Sequence, residues 1–321
     1  MKLKENKNII IGIDTSCYTT SIAAISLEKN ILFNKKIMLN VKDNSKGLRQ
    51  SDMVFQHVNN LGKISDELND LTDGYNICAI CVSEKPRPIK DSYMPAFIVG
   101  YNFSKLFAKL NNINFYSTTH QENHIYASLF ENKLKNNKFI SVHMSGGTTE
   151  ILLVEKDNNN LNIKIIGGTK DISFGQLVDR LGVKLGYNFP CGKYIDENAL
   201  NCSEKINSGL KTSVKDGYMN LSGIENQINK IVDDVSKEYI SKLLMDTIVR
   251  NLDKSLKFLC KEHNINEVLF AGGVASSKYI KEVLSKKLFK SNINTFFTKP
   301  EYSADNALGC AIIGLNKFIG E

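Results

Sequence analysis

The chain has 321 residues, 42% hydrophobic and 23% charged, with only 5 prolines, a balance that excludes wholesale disorder, collagen-like repeats and a coiled coil. That length suffices for two units, each with its own core. A net charge of +7 permits an acidic partner such as RNA without demanding one, because 37 Lys, 4 Arg and 36 Asn are also what AT-rich coding yields.

Seven cysteines (Cys17, Cys78, Cys81, Cys191, Cys202, Cys260, Cys310) are an odd, scattered set, which speaks against a disulfide framework and for a reducing cytoplasm. The first apolar run meets Asp14 too soon for a signal peptide, and no stretch approaches the roughly 20 apolar residues of a membrane span. A cytoplasmic protein with no membrane partner is expected.

In chain order, Asn8 to Asp14 reads as a strand, Thr15 to Thr20 as a turn, and Ser21 to Ile25 and Ile31 to Met38 as two further strands of a meander. Gln50 to Leu71 has the spacing of an amphipathic helix. A strand Ile77 to Val82, a helix Pro95 to Leu110, a strand Ile113 to Tyr116 and a helix His120 to Phe130 follow. After a polar linker, Glu131 to Lys138, the pattern restarts: strand Phe139 to Met144, turn Ser145 to Thr148, strand Thr149 to Val154, turn Asn158 to Asn160, strand Leu161 to Ile166. An offset of 129 residues lays Thr19-Thr20 on Thr148-Thr149, so the unit is a duplication. A helix Phe174 to Leu185 precedes an irregular insertion, Tyr187 to Gly223. Ile228 to Cys260 is helical, Glu267 to Ala271 a strand, Ala275 to Leu288 a helix, Asn294 to Phe297 a strand, and Ser303 to Phe318 the last helix. The fold class expected is α/β, two lobes with mixed sheets and the site in the cleft between them. Residues 1–131 with 303–321 make the first lobe and 132–302 the second, which carries the insertion, about 187–227.

Three glycine or polar turns follow strands: the one opening at Asp14, Ser145-Gly146-Gly147-Thr148, and Gly272-Gly273 ahead of a helix. Glycine there lets backbone N–H groups approach a phosphate, and the helix N-terminus favours anions. Neither G-x-x-x-x-G-K-[ST] nor G-x-G-x-x-G is present, so P-loop and Rossmann readings fail. A single Gly-Gly turn is ordinarily just a turn; three, two of them related by the repeat, favour nucleotide binding.

His120 and His124, at i and i+4, share one helix face, a bidentate metal spacing that capping or surface histidines show equally well. A third ligand must come from elsewhere, and Asp305, expected to open the last helix, is a candidate; a carboxylate is also favoured at a helix start for its own sake. At about 100° per residue Glu122 faces away from the two histidines, unlike the glutamate of H-E-x-x-H, so a peptidase reading fails. Cys78 and Cys81 read as strand packing, and His57 as a packed histidine.

Together these residues resemble the TsaD family, the tRNA adenosine threonylcarbamoyltransferases of the actin and sugar-kinase superfamily, from Ile10 to Gly314. Gly12-Ile-Asp-Thr-Ser-Cys17 is similar to its first strand and loop, His120, His124 and Asp305-Asn306 to its metal ligands, and Met144-Ser145-Gly146-Gly147 to its nucleotide loop. The resemblance puts Asp179 at the ribose, and Gly192 of Pro190-Cys-Gly192 and Ser277 at nucleotide contacts. It implies one divalent transition metal, iron or zinc, and an adenine nucleotide or acyl-adenylate ligand. The implied reaction passes a threonylcarbamoyl group from an adenylate to a tRNA adenosine, with tRNA and a paralogous subunit as partners; no catalytic side chain is evident. The chain departs from the family pattern at Tyr18-Thr19, Thr119, Thr148, Asp171-Ile172-Ser173, Gln176 to Arg180 and Ser277, as a divergent paralogue would. Two other readings are a non-catalytic nucleotide- or metal-binding paralogue and a carbamoyltransferase or kinase acting on a small molecule.

Overall fold

The computed structural model describes residues 7–16, 18–41, 48–157, 160–206 and 209–320; Cys17 and part of the turn expected at Asn158 to Asn160 lie outside them. Two compact units emerge, Met1–Glu131 with Asn158–Leu161 and Asp305–Glu321, and Asn132–Asp157 with Asn162–Ala304.

The first unit runs β1 (Asn8–Ser16), β2 (Thr19–Ser26), β3 (Ile31–Met38), α1 (Gln50–Thr72), β4 (Asn76–Lys85), α2 (Pro95–Leu110), β5 (Asn114–Thr119) and α3 (His120–Glu131). Its sheet has the order β3-β2-β1-β4-β5, with β1 antiparallel to β2 and parallel to β4. Ile9, Ile11 and Ile13 of β1 share one core with Ile64 of α1 and Val99 of α2. Ile10, on the opposite face, packs beside Gly314. Cover on both faces is why β1 reads as an unbroken apolar run.

The second unit runs β6 (Lys138–Met144), β7 (Thr149–Asp157), β8 (Asn160–Thr169, its first two residues grouped with the first unit), α4 (Phe174–Lys184) and α5 (Gly192–Asn201). It continues with β9 (Ser213–Lys215), β10 (Tyr218–Asn220), α6 (Ser222–Asn229), α7 (Lys237–His263) and β11 (Glu267–Ala271). A 3-10 turn (Gly273–Ser276), α8 (Lys278–Phe289), β12 (Asn294–Phe297) and the single turn α9 (Pro300–Ser303) close it, and α10 (Leu308–Ile319) returns to the first unit. Its sheet order is β12-β11-β6-β7-β8-β10-β9, so β8-β7-β6-β11-β12 repeats the order of the first sheet. The 129-residue offset carries the pair Thr15↔Thr20 onto Met144↔Thr149 and Gly12↔Ala23 onto Ser141↔Leu152. The duplication therefore holds at the level of strand register.

Three boundaries differ from expectation. The insertion expected to be irregular contains α5, β9, β10 and the start of α6, and the segment Ile228 to Cys260, expected as one or two helices, is divided between α6 and α7 with a break between Asn229 and Lys237. Ser236 makes that break, since its Oγ accepts from the Tyr239 N–H at 3.1 Å and starts α7 as an N-cap. The last helix starts at Leu308 rather than Ser303, which leaves Asp305 in the loop before it.

Asp171 shows how the insertion is fastened. Its carboxylate accepts from the N–H groups of Leu221 (2.9 Å) and Ser222 (2.8 Å) at the start of α6 and from that of Ile172 (2.8 Å). Burial alone would raise its pKa, but these hydrogen bonds outweigh it and hold the carboxyl below its ordinary value. A depressed folded-state pKa gives stability that is present above the unfolded value, near about 3.9, and lost as pH falls through the folded one. Thermal unfolding between neutral and acid pH should thus show wild type above Asp171→Asn at pH 7, with the gap closing in acid.

Candidate functional site

The start of α3 is fixed by a reciprocal cap. Thr119 Oγ1 accepts from the Glu122 N–H at 3.2 Å, and Glu122 Oε2 accepts from the Thr119 N–H at 2.8 Å and the Thr118 hydroxyl at 2.9 Å. This is a capping box, and it puts His120 at the first helical position and His124 one turn on. It also commits the Glu122 carboxylate to capping.

Asp305 reaches the same place through a loop that α3 itself holds. Between the two histidines, the buried Asn123 donates to the Asn306 carbonyl at 2.6 Å and accepts from the Cys310 N–H at 2.8 Å. Asn306 Oδ1 accepts from the Leu308 N–H at 2.9 Å, an Asx-type turn that delays the helix past Asp305. Gly309 lets the two helices meet, because a Cβ there would stand 1.9 Å from the Asn123 carbonyl oxygen.

The resulting donors converge. His120 Nε2 lies 3.0 Å from His124 Nε2, and Asp305 Oδ1 lies 3.3 Å from His124 Nε2 and 3.7 Å from His120 Nε2. With bonds of about 2.0–2.2 Å, two donors on one ion stand roughly 2.8–3.6 Å apart, so the 3.0 and 3.3 Å separations suit a single transition metal and the 3.7 Å one lies just beyond that range. His124 is 3% exposed, and Asp14 is fully buried with an Oδ2 that has no hydrogen-bond partner among the described residues. Two carboxylates around two imidazoles make a place for a cation. Burial alone pulls the His120 imidazole down, but the Asp14 charge and hydrogen bond and the Asp305 charge outweigh it and push its pKa up to about 9. Burial acts in the opposite sense on Asp305, yet the His124 hydrogen bond, both histidine charges and the Ser16 hydroxyl hold it well below the carboxylate range. Asp14 sits inside β1 rather than in the turn after it, because that strand runs on to Ser16.

A second cluster belongs to the second unit. Met144, buried, ends β6, and the turn after it closes with the Ser145 N–H donating to the Thr148 carbonyl at 2.8 Å. Gly146 and Gly147 are exposed, and a Cβ on either would meet nothing within 4 Å. Ser173 caps α4 in a capping box with Gln176 and donates to the Gly146 carbonyl at 2.7 Å. From the other side Gly272, at φ +98°, presses on Met144, where a Cβ would stand 2.2 Å from its carbonyl oxygen; exposed Gly273 follows. Asp179 Oδ1 accepts from the Cys191 N–H at 2.8 Å, which ties it to the start of α5, where Gly192 is exposed. Burial raises the Asp179 pKa, with that hydrogen bond opposing.

Ser277 is already occupied: its Oγ accepts from the Ile280 N–H at 3.0 Å and donates to Asp196. Asp196 also accepts from the N–H groups of Lys278 at 3.0 Å and Tyr279 at 3.2 Å, so an internal carboxylate fills the start of α8. Sequence reasoning missed Asp196, although it lies four residues after Gly192 on the same face of α5. It missed Asn123 and Ser16 as well, whose partners are distant in sequence. His57 is fully buried, its Nδ1 2.8 Å from Thr20 Oγ1.

The family model for tRNA N6-adenosine threonylcarbamoyltransferase matches residues 52–312. A Staphylococcus saprophyticus protein of that name is 28% identical over 319 residues, spanning 95% of this chain and 89% of that protein. Among solved structures, the activator of the 2-hydroxyisocaproyl-CoA dehydratase from Clostridium difficile with bound ADPNP superposes with a TM-score of 0.55 at 11% identity over 97% of this chain and 96% of that one. A ROK family glucokinase from Streptomyces griseus in complex with glucose and AMPPNP gives 0.54 at 10% identity over 95% and 99%. These two establish the fold alone, α/β of the actin and sugar-kinase type.

Proposed function

Because the chain belongs to the TsaD family, the tRNA N6-adenosine threonylcarbamoyltransferases, we propose that it passes a threonylcarbamoyl group from an adenylate to the amino group of a tRNA adenosine. In that transfer the amine nitrogen bonds to the carbamoyl carbon, the bond from that carbon to the adenylate oxygen breaks, the electron pair leaves with AMP, and the amine loses a proton. The observation that carries the reading is the match over residues 52–312, a span that takes in His120, His124 and Asp305.

His120, His124 and Asp305 would hold one divalent ion, and two imidazoles with one carboxylate suit iron or zinc. Such an ion supplies Lewis acidity to the carbamoyl carbonyl. On the second unit, Gly146, Gly147 and Gly273 offer backbone N–H groups to the adenylate phosphate, while those of Ser145 and Gly272 close the two turns on the carbonyls of Thr148 and Ser303. Asp179, with one oxygen held by Cys191, offers the other to the ribose, beside Gly192. Asp196 and Ser277 shape the start of α8 and leave less room for an anion there. A paralogous subunit and tRNA are the partners this reading takes, in the cytoplasm; no helix among the described residues is long and apolar enough to cross a membrane.

The test is calorimetry with an adenine nucleotide, followed by AMP release from threonylcarbamoyl-adenylate with unmodified tRNA. Asp179→Ala should weaken nucleotide binding by about tenfold to a hundredfold, as loss of a charge-assisted hydrogen bond would. No binding at millimolar nucleotide, or no tRNA-dependent AMP release, would defeat the proposal.

A further inference from the structure

Two residues of β1 point at the metal triad and touch its ligands from behind. Residues i and i+2 of a strand share a face, and here Asp14 and Ser16 share one while Thr15 turns the other way, donating to the Ala96 carbonyl at 2.9 Å. His120 Nδ1 donates to Asp14 Oδ1 across 3.0 Å, and the Ser83 hydroxyl donates to the same oxygen. An ionised carboxylate only accepts, so in the neutral imidazole that a cation would require the proton sits on His120 Nδ1, which leaves Nε2 as the lone-pair nitrogen facing His124 and Asp305. Ser16 Oγ donates to Asp305 Oδ2 at 3.1 Å, closer than its alternative acceptor, the Thr19 carbonyl at 3.4 Å. That hydrogen bond occupies Oδ2 and leaves Oδ1, the oxygen nearest both imidazoles, free to ligate. Both Asp14 and Ser16 are at most 1% exposed, so water does not compete for these contacts.

We propose that Asp14 and Ser16 are positioning residues of the metal centre: Asp14 fixes the His120 tautomer and Ser16 selects the Asp305 oxygen that binds. The proposal rests on the metal reading above. It gives Asp14 a task unlike the phosphate contact its place near the first turn suggests, since a buried carboxylate bonded to His120 repels phosphate. Removing such an outer partner ordinarily weakens metal affinity by about 10–100-fold while leaving the ligands in place.

The experiment is competition of zinc and cobalt(II) against a chromophoric chelator, together with the cobalt d–d spectrum, on the full chain. Wild type should bind one ion. Ser16→Ala, which deletes one oxygen, should bind one ion about tenfold or more weakly with an altered cobalt spectrum. Asp14→Asn keeps an acceptor oxygen and loses the charge, so its affinity should fall as well. In an Asp305→Ala background Ser16→Ala should change nothing further, because its partner is gone. If wild type binds one ion and Ser16→Ala binds it as tightly with the same spectrum, the positioning role is refuted and the metal centre stands. Wild type that takes up no stoichiometric ion refutes the metal reading and this inference with it.

Discussion

His120→Ala combined with His124→Ala should abolish stoichiometric metal binding in a chain that still folds. The double change leaves Asp305 as the remaining donor of the triad, and a lone carboxylate has little affinity for a borderline-soft ion, so metal content should fall from about one per chain to below about 0.1. The fold should survive, because α3 keeps its Thr119–Glu122 capping box and its Asn123 anchor to α10. Elemental analysis after exhaustive dialysis, with circular dichroism as the check on folding, measures both halves. Folded double variant that retains one ion per chain would move the site elsewhere.

Gly182→Ala should be among the most damaging single substitutions in the second unit. A Cβ on Gly182 would stand 2.1 Å from Cys191 Cβ and 2.6 Å from its sulfur, and both residues are buried. Cys191 has no room to yield: its N–H holds Asp179, and it immediately precedes α5. Overpacking of this kind costs about 3 kcal/mol, a fall of roughly 6–12 °C in melting temperature for a unit of this size. Adding Cys191→Gly to Gly182→Ala should restore most of that loss, since it deletes the side chain in the way. A double variant no more stable than Gly182→Ala alone would show that the damage arises by another route. Burial, aided by the Asp179 charge, pushes the Cys191 thiol up to about 11, so oxidation should not confuse the measurement.

What the sequence discloses is mostly local or periodic. The 129-residue offset was readable because strand alternation has period two, so equivalent pairs such as Thr15↔Thr20 and Met144↔Thr149 keep their register. The histidine pair was readable because a helix puts i and i+4 on one side. What stayed hidden depends on contacts far apart in the chain. Asp305 was expected on the last helix, but Asn123 and Asn306, 183 positions apart, hold it in a loop. Ser16 and Asp305 are 289 positions apart, and no spacing rule joins them. Several departures from the family pattern have a local explanation once the caps are seen: Thr119 and Ser173 each open a helix, and Gln176 completes the second capping box. Tyr18 and Thr148 have no such explanation in the structure.

The central claim is tRNA threonylcarbamoyl transfer, and its most direct measurement is mass spectrometry of tRNA nucleosides. The chain would be expressed, with the host's partner proteins intact, in cells whose own transferase has been removed. Threonylcarbamoyladenosine should reappear with the wild-type chain and stay absent with the folded His120→Ala, His124→Ala variant. Tested this way, a folded, metal-loaded wild-type chain that leaves the tRNA adenosine unmodified would contradict the account.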